Sequence, residues 1–229
     1  IMKTGAPSFW KAIAAIFWKD IATDFRSREM ISAMLIFALM VLLIFNFALE
    51  LDAKTRANVI SGVLWVTIVF AGTLGLTRSM AMEMDRGCLD GLLLVPVDRT
   101  VIYLGKALSN WVFILMVALI VLPVFSILYN VNLFLPGLLL VILLASEGYV
   151  AVGTLLSSMS VQARTRDILL PILLFPVIIP VLVAAVKATN GYLQGFGWTD
   201  ISIWMNLLIV YDVIFTVISF LVFEYVIEE

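Results

Sequence analysis

The chain has 229 residues, of which 63% are hydrophobic and 13% are charged, with a formal net charge of −2. Because soluble domains carry about 25% charged residues, this composition excludes a soluble globular domain and indicates an integral membrane protein. The sequence has no histidine and one cysteine, Cys88, which excludes a histidine-ligated zinc site, a Ser-His-Asp triad and an internal disulfide built from this chain alone.

Residues 8–29 are predicted to form an amphipathic helix that lies in the membrane interface. Apolar side chains recur at steps of three and four and form one stripe: Trp10, Ile13, Ala14, Phe17, Ile21 and Phe25. Charged side chains occupy other positions: Lys11, Lys19, Asp20, Asp24 and Arg26. An aromatic, basic segment of this kind is typical of a surface helix. The alternative, a poorly hydrophobic first span, is disfavoured because charged residues lie inside the segment.

Six uncharged or nearly uncharged segments follow, each close to the ~20 residues that cross a bilayer. The predicted spans are 30–49, 57–78, 106–128, 134–160, 168–187 and 202–224. Residues 107–146 carry no charge and are about twice as long as one span, so turn residues at 129–132 are predicted to separate the third span from the fourth, which continues past Glu147. The apolar runs do not alternate with polar residues as β-barrel strands do. The chain is therefore predicted to be an all-α membrane protein with a single transmembrane domain, 1–229.

The distribution of lysine and arginine predicts the orientation of the spans. Eleven of these residues lie in the N-terminal segment or in the loops after the second and fourth spans, and three lie on the opposite side. Because positively charged loops stay in the cytoplasm, both termini are predicted to be cytoplasmic.

Residues 80–95, after the second span, form the most unusual loop. Helical spacing groups its charged side chains on one face and its leucines on another: Glu83, Arg86 and Asp90, and then Leu89, Leu92 and Leu93. A short amphipathic helix between two spans provides a docking surface for a soluble partner. The alternative is a solvated loop, which is disfavoured because three leucines would lie close to water.

Small and capping residues complete this segment. Gly87 and Gly91 are four residues apart and would allow another backbone to approach closely. Pro96 ends the predicted helix, and Asp98 is placed to cap the next helix at Thr100.

Two carboxylates fall inside predicted spans, Glu147 in the fourth and Asp212 in the sixth. Because a charged side chain in lipid costs roughly 3 kcal/mol, each is expected to face protein or water. One interpretation is a polar patch that acts in gating or subunit contact. The other is a structural hydrogen bond to a nearby polar residue: Ser146, Tyr149, Tyr211 or Asn206. No catalytic group and no metal site is predicted, because the two acids come with no base or metal-ligand motif.

The fifth span contains Pro176 and Pro180, whose spacing of four places them on one helical face. Each proline removes a backbone hydrogen bond and permits a bend. The functional interpretation is a helix that moves with ATP binding. Static packing is favoured over it, because membrane helices tolerate proline.

Three stretches of sequence resemble the heme exporter protein B family, the permease subunit of the ABC transporter for cytochrome c maturation. The first is Gly-Cys-Leu-Asp-Gly-Leu-Leu-Leu-Val-Pro-Val-Asp-Arg at 87–99, followed by Ile-Tyr-Leu-Gly-Lys at 102–106. The second is the proline-paired segment 172–189, and the third is Gly-Val-Leu-Trp at 62–65. The resemblance covers nearly the whole chain and the same order of six spans.

The resemblance implies an ABC-2-exporter-like permease that is not itself an enzyme. The sequence agrees, since it contains no G-x-x-x-x-G-K-[ST] motif. ATP would be hydrolysed by a cytoplasmic ABC ATPase subunit, and residues 80–95 would form the coupling helix that contacts it. The residues assigned to this helix are Glu83, Arg86, Gly87, Cys88, Leu89, Asp90, Gly91 and Leu92, and the loop after it contains Pro96, Asp98 and Arg99.

The remaining partners follow from the same resemblance. A second permease copy and a heme-handling membrane subunit would complete the complex in the bacterial inner membrane, and no nucleic acid is expected. This chain would bind no cofactor, because it lacks histidine and a Trp-Trp-Asp sequence, so heme would be handled by the complex. The expected function is to couple ATP hydrolysis to heme export or to release of heme to a periplasmic chaperone.

Three alternatives were weighed against this function. The first is an ABC-2-type permease for a lipid or polysaccharide, which the run at 87–106 disfavours. The second is a membrane-embedded enzyme, which would need clustered aspartates or histidines with metal-ligand spacing. The third is a structural scaffold, which would not need the amphipathic helix at 80–95.

Overall fold

The computed structural model describes residues 9–48, 53–85, 91, 98–160 and 166–226. Within these ranges the chain forms long helices and no strands, in agreement with the predicted all-α class. The helices are α1 (Phe9–Ser27), α2 (Glu29–Ala48), α3 (Ala53–Asp85), α4 (Arg99–Tyr129), α5 (Pro136–Ser160), α6 (Arg166–Gln194) and α7 (Trp198–Val226).

Six of the described helices, α2 to α7, are long and apolar enough to cross a membrane. This confirms the predicted number and order of spans and makes the protein a multi-pass membrane protein. Several helices extend beyond the predicted spans, because a helix does not end where the hydrocarbon layer ends. The α4 helix begins at Arg99, where Asp98 caps it, and α6 continues to Gln194.

The predicted turn at 129–132 is confirmed. The α4 helix ends at Tyr129, and Asn130 adopts a left-handed conformation with φ of 51°. The backbone N–H of Asn130 donates to the carbonyl of Ser126, which satisfies a carbonyl at the helix end. Asparagine tolerates this conformation better than most residues, so the turn chemistry read from the sequence determines where α4 stops.

Helices α3 and α5 form the centre of the bundle. About 72% of the membrane-spanning window of each is buried inside the protein, against 22%, 33% and 28% for α2, α6 and α7. Interhelical hydrogen bonds hold the central helices, as expected where lipid supplies no hydrophobic driving force. In one of them the Trp65 Nε1 atom donates to Thr189 Oγ1 over 2.9 Å, and in another the Thr73 and Tyr149 hydroxyls lie 3.0 Å apart.

The α1 helix packs against the beginning of α4, at the end of the bundle where α5 and α7 finish. Its Ile13 and Ile16 side chains belong to a buried cluster that includes Leu155 of α5 and Phe223 of α7. Gly105 permits this contact, because a Cβ atom at that position would lie 2.7 Å from Ile16 Cγ2. We call this end of the bundle the α1 end, and the opposite end the far end.

The predicted amphipathic helix is present as α1, and three members of its apolar stripe lie on the surface of the protein. Trp10, Ala14 and Phe25 are exposed on the surface of the protein. Asp20 and Asp24, whose positions lie outside the apolar stripe, are buried. The reason is that the buried face of this helix meets polar groups of α3 and α4.

Candidate functional site

The most highly organised polar site of the protein surrounds Glu83, in the last turn of α3. Lys19 of α1 donates from Nζ to Glu83 Oε1 over 2.7 Å. Lys106 of α4 donates from Nζ to the other carboxylate oxygen, Oε2. Both oxygens of one carboxylate are therefore engaged by lysines from two different helices.

Two aspartates of α1 complete the site. Asp20 Oδ1 pairs with Lys19 Nζ at 2.8 Å, and Ser109 of α4 donates to Asp20 Oδ2 over 3.1 Å. Asp24 is 4% exposed and interacts electrostatically with Lys106. We call these six residues the α1-end network: Lys19, Asp20, Asp24, Glu83, Lys106 and Ser109.

The network is compact and largely withdrawn from solvent. The Lys106 side chain is 3% exposed, and Glu83 is 13% exposed. Two lysines face three carboxylates, so every charge has at least one opposite charge close to it. Burying ions is costly, and such a group is tolerated only when its members remain paired and hydrogen-bonded. Loss of one member would leave the others buried and uncompensated.

The network connects α1 with the end of α3 and the first part of α4. Glu83 lies in the last turn of α3, and Lys106 lies eight residues after the helix cap at Asp98. The chain between these two helices contains most of the predicted docking segment.

Most residues of the predicted coupling helix lie outside the described residues: Arg86, Gly87, Cys88, Leu89, Asp90 and Leu92. Pro96, in the loop predicted after it, also lies outside them. Gly91 is exposed, and a Cβ atom added there would have no neighbour within 4 Å. The prediction that residues 80–85 begin a separate helix is wrong. These residues continue α3, which runs without a break from Ala53 to Asp85. The physical reason is that residues 79–85 contain neither proline nor glycine to end the helix.

The residues after the coupling helix are placed as expected. The Asp98 carboxylate accepts from the Thr100 backbone N–H over 3.0 Å and from the Thr100 hydroxyl over 2.7 Å. Asp98 is thus the N-cap of α4, and Arg99 is its first residue. A capping side chain satisfies a backbone N–H that has no partner inside the helix. The cap fixes where α4 begins and therefore how far along the helix axis Lys106 lies from that end.

The intramembrane acids lie next to each other on α5 and α7. Glu147 Oε1 accepts from the Thr216 hydroxyl over 2.8 Å, and Asp212 is buried against the backbone of Gly148. Glu147 thus makes a structural hydrogen bond, which is one of the two interpretations, but the partners named for it are wrong. The hydroxyl of Tyr211 donates to the carbonyl of Val177.

The other predicted partners have different roles. Ser146 accepts from Trp111, and the Tyr149 hydroxyl lies within hydrogen-bond distance of Thr73. Asn206 is exposed. Thr216 was not foreseen because it lies 69 residues from Glu147, and no local pattern in the sequence indicates that contact.

The α6 helix runs continuously from Arg166 to Gln194 through its three prolines. Pro176 and Pro180 are both exposed on the outside of the bundle. They lie on one helical face, as their spacing of four residues predicts. Whether they bend α6 stays a prediction.

Sequence reasoning did not assign five members of the network to a site: Lys19, Asp20, Asp24, Lys106 and Ser109. Lys106 entered the sequence analysis as the last residue of the run at 102–106, although an isolated lysine at the start of an apolar helix is a signal for a buried partner. Among the described residues there is no group of three or more histidine, cysteine, aspartate or glutamate side chains arranged to hold a metal ion. What the site offers is charge pairing between three helices.

Comparison with known proteins gives a consistent result. Residues 11–227 match the family described as CcmB protein. A protein named Heme exporter protein B from Rhodobacter capsulatus is 26% identical over 186 residues, which cover 80% of this chain and 84% of that protein. Relatives of the same name are 24% identical in Pseudomonas aeruginosa, over 79% of this chain and 82% of the relative, and 26% identical in Bradyrhizobium diazoefficiens, over 80% and 83%.

We predict that Lys106→Met destabilises the chain by about 3–5 kcal/mol, because it leaves the carboxylate of Glu83 buried without one of its two cations. Thermal unfolding of the purified chain in lipid nanodiscs measures the effect. The matched control is Arg78→Met, since Arg78 forms an exposed pair with Glu29 at 4.0 Å and its loss should change stability by less than about 1 kcal/mol. Equal effects of the two substitutions would contradict the assignment of Lys106 to a buried network.

Proposed function

Because the chain belongs to the CcmB protein family, we infer that it is the permease subunit of the ABC transporter complex for cytochrome c maturation. In this complex it couples cytoplasmic ATP hydrolysis to heme export, or to release of heme to a periplasmic chaperone. The match to residues 11–227 carries this function, and the α1-end network supports the way in which coupling takes place.

The ATPase would be a separate cytoplasmic subunit that docks on residues 80–95. The permease sequence itself contains no nucleotide-binding P-loop, so it needs such a partner to use ATP. Movement of the docked segment would pull on Glu83 at the end of α3 and on Asp98 at the start of α4. Because Lys19 and Lys106 hold Glu83, α1 and α4 would move with it. The network would thus turn a local displacement into a joint movement of three helices.

The proposed complex has two further membrane partners, a second permease copy and a heme-handling subunit. The outer faces of α2, α6 and α7 are the surfaces available for them, because two thirds or more of their spanning windows are unburied in the single chain. Exposed apolar side chains such as Met40, Ile44 and Phe47 on α2 suit either lipid or another helix.

Heme chemistry would take place on the partner and not on this chain. The usual axial ligand of heme is histidine, and the sequence contains none. We propose that the permease binds no cofactor of its own, and that ATP and heme are held by the subunits it connects.

The α1 end is proposed to face the cytoplasm of a bacterium, in the inner membrane. Phe223 of α7 packs with Ile13 and Ile16 of α1, so the first and last described helices reach the same end of the bundle. The excess of lysine and arginine on that side supports a cytoplasmic location for both termini.

For orientation, we predict that a cytoplasm-active fluorescent reporter fused after Glu229 is active and that a periplasm-active phosphatase fused at the same position is inactive. Fusions after Asn132, in the turn between α4 and α5, should give the opposite pattern and serve as the control. A phosphatase that is active after Glu229 would overturn the orientation.

For coupling, we predict that Leu89→Asp weakens binding of the ABC ATPase about tenfold, since a charge that costs ~1.4 kcal/mol at an apolar contact changes affinity by that factor. Co-purification of the ATPase with the intact complex, and its ATP hydrolysis rate, measure the effect. Gln194→Asp is the matched control, because it adds the same charge at an exposed position at the far end. Unchanged ATPase binding in the Leu89→Asp complex would refute the docking segment.

A further inference from the structure

Asp212 of α7 occupies an unusual position in the middle of the bundle. Its side chain is directed at α5, where a Cβ atom added to Gly148 would overlap with Asp212 Oδ1. Only the absence of a side chain at Gly148 lets the carboxyl group approach the α5 backbone so closely. The residue is 7% exposed, so neither lipid nor bulk water surrounds it.

No donor group among the described residues gives a hydrogen bond to either oxygen of Asp212. The polar group that it interacts with is the carboxyl group of Glu147, the residue that precedes Gly148 in α5. Glu147 itself accepts a single bond, from Thr216. In the described part of the chain no lysine or arginine nitrogen lies within 4.0 Å of either acid.

The other titratable groups that face the pair are tyrosines. Tyr103 of α4 is electrostatically coupled to Glu147, and Tyr211 of α7 is coupled to Asp212. The two hydroxyls donate to backbone carbonyls, to that of Ala151 and that of Val177 respectively. Neither tyrosine therefore supplies the donor that Asp212 lacks.

Two adjacent carboxyl groups inside a membrane bundle would be strongly destabilised if both were charged. Each isolated charge costs roughly 3 kcal/mol in the bilayer, and repulsion between like charges adds to this. One shared proton removes one of the charges and supplies the missing hydrogen bond between the two groups. A divalent metal ion would require more oxygen ligands than the described residues offer at this position.

We propose that Glu147 and Asp212 form a proton-binding site, in which the two carboxyl groups share one proton. Water can reach the first of the two acids if it enters a small cleft beside it. A cleft of about 80 Å³ between α4, α5 and α7 is lined by Glu147, Thr216, Tyr103 and Trp111, and it is large enough to admit water. Glu147 is the group at the cleft, and Asp212 lies behind it. Release of the proton places two like charges in contact and drives α5 and α7 apart.

This proposal does not rest on the transport function, so the test uses carboxyl chemistry. Dicyclohexylcarbodiimide is an apolar reagent that reacts with protonated carboxyl groups, and it is applied to the full chain in native membranes, with peptide mass spectrometry as the readout. We expect modification of Glu147 at neutral pH and its loss as the pH is raised. Glu147→Gln should abolish the signal, and Asp200→Asn, at the exposed far end, should leave it unchanged.

The Asp212→Asn variant tests whether the proton is shared. Removing the neighbouring like charge should make Glu147 lose its proton, and with it the reactivity, at a lower pH than in the original chain. Should this variant fail to fold, the infrared band of a protonated carboxyl group in the original chain, lost on raising the pH, supplies the second measurement.

Three results would overturn the proposal. The first is a Glu147 that is unreactive at neutral pH with no infrared band of a protonated carboxyl group. The second is a reactivity of Glu147 that depends on pH in the same way in the Asp212→Asn variant as in the original chain. The third is protection from the reagent by sodium ions at constant pH, which would identify a site for a metal cation.

Discussion

The ion pairs of Glu83 with Lys19 and Lys106 are the interactions on which the α1 end of this protein depends. One carboxylate in the last turn of α3 uses both of its oxygens to hold cations from two other helices. Lys106 is almost completely buried. Removing its charge would leave the carboxylate of Glu83 buried without one of its partners, and an uncompensated buried charge strongly destabilises the folded state. The network therefore fixes where α1, α3 and α4 lie relative to one another.

Inside the membrane a different set of interactions holds the bundle. Hydrogen bonds between the central helices, such as Trp65 to Thr189 and Asn110 to Thr154, join side chains far apart in sequence. Glycines at 105 and 148 allow the helices to approach closely where bulky or charged groups must fit. Among the described residues, the buried lysine and the buried aspartates thus lie in two places, the ionic network at the α1 end and the acid pair between α5 and α7.

The parts of the fold that depend on length and local chemistry were predictable from the sequence. Because bilayer thickness fixes the length of a span, the uncharged segments of the sequence indicated where six helices lie. The cap at Asp98 and the turn at Asn130 depend on residues within a few positions, and both appear where the local sequence indicates. The buried face of α1 was not predictable by the same means. In a membrane protein apolar residues mark the lipid side as readily as the core, so Trp10 and Phe25 point outward.

The contacts that make up the two polar sites join residues distant in sequence. Lys19 and Glu83 are 64 residues apart, and Glu147 and Thr216 are 69 apart. A single sequence shows that these residues are costly to bury, but not which of them meet. The sequence therefore indicated that Glu147 and Asp212 need partners, whereas the structure identified Thr216 and the contact between the two acids.

The most direct test of the account is a double-mutant cycle on Lys19 and Glu83 in the assembled complex. Lys19→Met, Glu83→Gln and the double variant are compared by the thermal stability of the permease and by the ATP hydrolysis of its partner. A network that joins α1 to α3 predicts a coupling energy of about 1–3 kcal/mol and a double variant no less active than the worse single variant. Additive effects, within about 0.5 kcal/mol, would show that the two residues act independently and would contradict the account.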